Sequence, residues 1–193
     1  MDWLSGLTKW SLLTSTILLS CAHGISPDPE PIKYQVIIDD SFSVDETDFI
    51  VHGFDSWQSV IGTDLTFQYL TASTDSINAG LDNKPKPGIL YVIRVQDVGT
   101  VDCLLMASTI ACVKPPNRVY FQADSITATS QWTKLAVHEA GHVIGLPHTT
   151  DSPSVMLADI NQMADTPSII DVQAYCSLPS SNGCPHRRVD SGH

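Results

Sequence analysis

The chain has 193 residues, 42% of them hydrophobic, with 21 acidic against 10 basic side chains and a formal charge of −11. That length and composition suit one globular domain large enough to bury a core. So acidic a surface offers no basic stripe for nucleic acid and sets that class of function aside.

In chain order, the first element is a targeting segment. Lys9 is followed by a short apolar run, Trp10 to Leu19, too brief for a typical membrane-spanning helix. Residues 1–20 therefore read as a signal peptide. The run ends in Leu18-Leu19-Ser20-Cys21, which resembles the lipobox of bacterial lipoproteins. On that resemblance Cys21 becomes the lipidated first residue and anchors the chain to a membrane; the alternative is an ordinary cleaved secretory signal. Residues 21–31 form a tether with Pro27, Pro29 and Pro31, and residues 32–193 form the folded domain.

Ile32 to Ile38 is β-branched and aromatic-rich, a first strand. Ser43 and Glu46 stand at capping-box spacing, and Ile50, Phe54, Trp57 and Ile61 follow at helical intervals. Leu65 to Thr71 reads as a second strand, Ala72 to Pro87 as a polar loop, and Ile89 to Val95 as a third, central strand. Val101 to Val113 encloses Cys103 and Cys112, and Arg118 to Ala123 is another strand. Ser130 is expected to cap a helix with Trp132, Ala136, Ala140 and Val143 as its core stripe. Thr166-Pro167 is expected to open a last helix, with Ile169, Val172 and Cys176 on one face. With Cys21 set aside, Cys103, Cys112, Cys176 and Cys184 form an even set that suggests disulfides in an exported chain. Three pairings are possible; the short loops favour Cys103–Cys112 and Cys176–Cys184.

The densest signal is His138-Glu139-Ala140-Gly141-His142-Val143-Ile144-Gly145-Leu146-Pro147-His148. Two histidines four apart on a helix project from one face one turn apart. Gly145 can adopt the left-handed conformation that ends a helix, and Pro147 cannot continue one. The chain then turns and can bring His148 back as a third ligand. Three protein ligands leave a fourth position open, the arrangement of a catalytic rather than a structural zinc. Glu139 stands beside them, free to handle a proton. His23, His52, His186 and His193 have no partner at ligand spacing and read as surface residues, while Asp151 with Ser152-Pro153 reads as a turn.

With Ser154-Val155-Met156 following His148, the stretch from Ser130 to Met156 resembles the metzincin metallopeptidases, closest to the matrixin branch and its small bacterial relatives. The resemblance implies an α+β zincin fold: a twisted, mostly parallel five-stranded sheet, two backing helices, a Met-turn at Met156 and a C-terminal helix. It implies one Zn²⁺ held by His138, His142 and His148, with Glu139 as general base in peptide-bond hydrolysis. It also puts the edge strand of the cleft in 101–113, and the wall of the pocket past the cut in Leu157 to Met163. Two departures narrow it. Ala158 stands where some branches carry a zinc-ligating Tyr, and no His-x-Asp stretch for a second zinc or calcium lies between Val95 and Ser130. The expected function is a zinc endopeptidase acting on extracytoplasmic proteins or peptides. The rival expectation is a catalytically silent, zinc-bearing binding module on the cell surface, which retention of Glu139 disfavours.

Overall fold

Strand β1 (Ile32–Asp39) pairs in parallel with β2 (Leu65–Ala72) on one side and with β3 (Ile89–Arg94) on the other. This computed structural model describes residues 30–81, 86–101, 103 and 109–181. The expected signal peptide, Cys21, most of the tether and Cys184 lie outside those residues. Strand β3 continues the sheet to β5 (Arg118–Phe121), also parallel, and β5 pairs antiparallel with the edge strand β4 (Ala111–Lys114). The order β2-β1-β3-β5-β4 makes five strands with β3 central, as its unbroken apolar run implies.

Helices α1 (Val44–Ile61) and α3 (Thr129–Val143) cover one face. Val36 and Ile38 alternate inward from β1, as do Leu90 and Val92 from β3 and Val119 and Phe121 from β5. They meet Ile50, Phe54, Trp57 and Ile61 of α1, the stripe expected from the sequence, together with Trp132 and Leu135 of α3. The aromatic residues of this core interlock edge-to-face, Phe42 with Phe121 and with Trp132 and Phe54 with Phe67. The start of α1 forms the expected capping box: Ser43 Oγ accepts from the Glu46 amide, and Glu46 Oε2 accepts from the Ser43 amide at 2.7 Å. Arg94 then ties Glu46 to Asp124, donating to each at 2.6 Å.

Three expectations are corrected. The span 72–87 is not all loop, because α2 (Thr74–Leu81) occupies part of it. Its only fully buried side chain is Ile77, which joins Ile93, Val98, Cys112 and Tyr120 on the other face of the sheet. One apolar anchor in two turns leaves no periodicity to read; Ser73, accepting from the Ser76 amide at 3.3 Å, was the available signal. Helix α3 starts before Ser130, with Ala128 at the cap position. The end is closed instead by Gln131, whose Oε1 accepts from the amides of Thr127 and Ala128 at 3.3 Å each. Helix α4 (Ile169–Cys176) is capped by Ser168 rather than Thr166, and its face is turned from the one expected. Ile169 is 69% exposed, whereas Asp171 and Tyr175 are buried.

Cys103 and Cys112 sit at disulfide distance, with 6.4 Å between their Cα atoms. The bond links the segment before β4 to the edge strand itself. The partner expected for Cys176 falls outside the described residues. Among those residues, no helix is long and apolar enough to cross a membrane.

Candidate metal centre

Helix α3 carries His138, the buried Glu139 next to it, and His142 one turn further on. The helix then ends abruptly. Gly145 takes φ +101, its amide bonds the His142 carbonyl at 3.0 Å, and the Leu146 amide bonds the Gly141 carbonyl at 3.0 Å. This pair of bonds is the Schellman arrangement, and it needs a residue that tolerates positive φ at that one position. The chain reverses there, Leu146 is buried, and His148 returns to the two helical histidines.

His148 Nε2 lies 3.1 Å from His138 Nε2 and 3.2 Å from His142 Nε2. The other ring nitrogens settle what those contacts are. His138 Nδ1 is 2.7 Å from the Val155 carbonyl and His142 Nδ1 is 2.7 Å from the Leu146 carbonyl. A carbonyl can only accept, so both Nδ1 atoms carry the proton in the neutral rings and both Nε2 atoms present lone pairs. Two lone pairs aimed at a third imidazole nitrogen repel one another, and a cation among them would relieve that repulsion. Tetrahedral zinc with bonds of about 2.0–2.1 Å has nitrogen–nitrogen edges of about 3.3 Å, close to the spacing observed. The all-imidazole donor set, two of its rings oriented by backbone carbonyls behind them, therefore fits a metal ion. Among the described residues this is the one group of three or more His, Cys, Asp or Glu side chains placed to hold a metal.

Burial, reinforced by the neighbouring His142, brings His138 down to about 3, so its ring is neutral at physiological pH. Burial lowers His142 as well. Glu139 is only 3% exposed, and its Oε2 has no hydrogen-bond partner. Burial raises its carboxyl to about 8, while a divalent cation among the imidazoles acts in the opposite direction.

Met156 is buried, 2% exposed, and packs against the helix at Gly141, between the two helical histidines in sequence. A Cβ added at Gly141 would stand 2.3 Å from Met156 Sδ and 2.9 Å from Trp57 Cζ2. The glycine inside the motif is thus the place where the thioether and the indole press against the helix. Trp57 also donates from Nε1 to the Val137 carbonyl at 2.8 Å, which ties α1 to α3 one residue before His138. The Met156 loop is pinned to the returning chain, since the Thr149 amide bonds the Met156 carbonyl at 3.0 Å. After it, Leu157 and Met163 are buried and Ile160 is partly so. His52 is exposed on α1 and outside the cluster, and Asp151 is exposed just before the bend at Ser152-Pro153. Asp171 is the residue that periodicity failed to single out. It is buried and accepts from Ser154 Oγ and from the Val155 amide, in the residues just before Met156. The signal that could have found it is the Ser168-x-x-Asp171 spacing of a capping box.

A mixed sheet backed by α1 and α3, a helix that ends on a glycine, a returning histidine and a buried methionine packed against that helix match the fold of the metzincin-type zinc peptidases. Comparison with known proteins agrees. The family model for matrixin, a peptidase family, matches residues 105–175. The solved structure of archaemetzincin from Methanopyrus kandleri superposes with a TM-score of 0.53 at 10% sequence identity, covering 75% of this chain and 93% of that one. At that identity the likeness speaks for the fold. No curated protein matches the sequence significantly.

Proposed function

We propose that the protein is a zinc-dependent endopeptidase that hydrolyses peptide bonds of proteins or peptides outside the cytoplasm. The observation that carries this reading is the convergence of three imidazole Nε2 atoms, two of them with Nδ1 bound to carbonyls, beside a buried and half-unpaired carboxylate. His138, His142 and His148 would hold a single zinc, with a fourth position left for water or substrate. When bound there, zinc acts as a Lewis acid that makes water nucleophilic at neutral pH and offsets the charge developing on the scissile carbonyl. Glu139 accepts the proton of the attacking water and delivers it to the leaving amine. Its apolar surroundings keep competing water from the carboxylate, and Met156 supports the histidines from below.

The substrate would lie extended along β4. Among the described residues no strand pairs with the outer edge of β4, so an added strand is the natural mode of binding. Leu157, Ile160 and Met163 favour an apolar side chain just past the cut. The apolar run before Cys21 and the paired cysteines support export, and the Leu18-Leu19-Ser20-Cys21 stretch supports a lipid anchor at Cys21.

The test is cleavage of a mixed peptide library by the zinc-loaded protein, with Glu139→Ala beside it. The expected result is a set of internal cuts that disappear in the variant. A folded, zinc-bearing protein that makes none would overturn the peptidase reading in favour of a silent binding module.

A further inference from the structure

Asp171 is 1% exposed and belongs to α4, which supplies no metal ligand. A carboxylate this deep is tolerated only when its oxygens are satisfied. Its Oδ2 accepts from the Ser168 amide at 2.7 Å, from Ser168 Oγ at 2.8 Å and from the Val155 amide at 3.2 Å. Its Oδ1 accepts from Ser154 Oγ. The bonds from Ser168 are ordinary capping. Glu46 caps α1 in the same way from a partly buried position, 16% exposed, so capping alone does not require full burial or a bond to a second loop.

The other two bonds lead to the metal centre. Ser154 Oγ gives its proton to Asp171 and accepts the Met156 amide at 2.8 Å. That amide shares a peptide unit with the Val155 carbonyl, which receives Nδ1–H of His138 at 2.7 Å. A line of hydrogen bonds thus runs from the carboxylate through Ser154 and one peptide plane to a ligand ring. Each donor in such a line strengthens the next acceptor. Asp171 holds the peptide plane from both sides of Val155, through the Val155 amide and through Ser154.

We propose that Asp171 is a positioning residue for the metal centre: its carboxylate fixes the Ser154–Met156 loop so that the Val155 carbonyl sets the tautomer and aim of His138. This rests on the reading that His138, His142 and His148 bind a metal. It extends that reading to a residue on another helix.

The experiment is a zinc titration of the full chain against a competing chromophoric chelator, with stability followed by urea unfolding of the metal-free proteins. Asp171→Asn is expected to weaken zinc binding about 10–100-fold, the usual cost of removing a group that orients a ligand. Ser43→Ala, which weakens the distant α1 cap, should lose stability and keep wild-type zinc affinity. Ser154→Ala cuts the line without disturbing the carboxylate's own helix, and is expected to weaken zinc in the same direction if Asp171→Asn does not fold. Cobalt(II) bound to the variants should show a visible spectrum altered from wild type. Wild-type zinc affinity in Asp171→Asn or in Ser154→Ala would overturn the proposal, as would a Ser43→Ala protein weakened as much. A wild-type protein that binds no zinc would defeat the metal reading itself, whereas one that binds zinc but cuts nothing leaves the role of Asp171 to be decided by the titration.

Discussion

Helices α3 and α4 serve the same site in different ways. The first aims side chains at it: His138, Glu139 and His142 come off one short stretch, and their spacing follows from the pitch of a helix. The second reaches it only through Asp171, a serine and a loop backbone. Side chains that do chemistry must be of particular types at particular spacings, so they leave a mark in the sequence. Groups that hold a loop in place bond to peptide N–H and C=O, which every residue carries, and leave much less of one. The site depends on both, and variants can separate the two contributions.

The largest effect belongs on α3. Glu139→Gln keeps the size of the side chain and removes the base, so turnover should fall by about 10²–10⁴-fold with zinc still bound. Rates measured on one peptide at saturating zinc would check this; a loss below tenfold would sever Glu139 from the chemistry. Next comes His138→Ala. Zinc at about 100 times its Kd should stabilise the wild-type fold by about 2.7 kcal/mol and this variant by almost nothing. Urea unfolding with and without zinc reads the difference.

Gly141→Ala probes the contact between the two layers. Its new Cβ would enter the space of Met156 Sδ, 2.3 Å away, and should destabilise the protein by about 1–3 kcal/mol. Unchanged stability would mean that Met156 moves aside easily and is not a fixed floor. The smallest effect is Ser43→Ala, a cap remote from the site, which should cost about 1 kcal/mol and leave peptide cleavage unaltered.

The same division explains what could be read before the structure. The strands, the α1 stripe and its Ser43–Glu46 box were legible because burial on one face imposes a period. The gathering of the three histidines and the glycine turn between them were legible because metal chemistry restricts residue type and spacing. Helix α2 was not, since Ile77 alone anchors it and a single apolar residue has no period. The start of α3 differs because Ser130 already lies inside the helix, and Gln131 at the third position bonds the Thr127 and Ala128 amides that precede it. In α4 the apolar residues suggested one face, but the helix buries Asp171 and Tyr175 and leaves Ile169 in solvent. Tertiary hydrogen bonding overrode hydrophobic pattern there, because the carboxylate has four donors waiting for it and the isoleucine has no pocket.

The most direct measurement on the metal centre is chelation followed by stepwise zinc return, with peptide cleavage and circular dichroism recorded on the same sample. A catalytic metal held by three histidines on a fold with its own core predicts that chelation abolishes cleavage, leaves the secondary structure in place, and that cleavage returns in full at one zinc per chain. Cleavage that persists in protein shown to be free of metal, or a full complement of zinc that restores none, would contradict it.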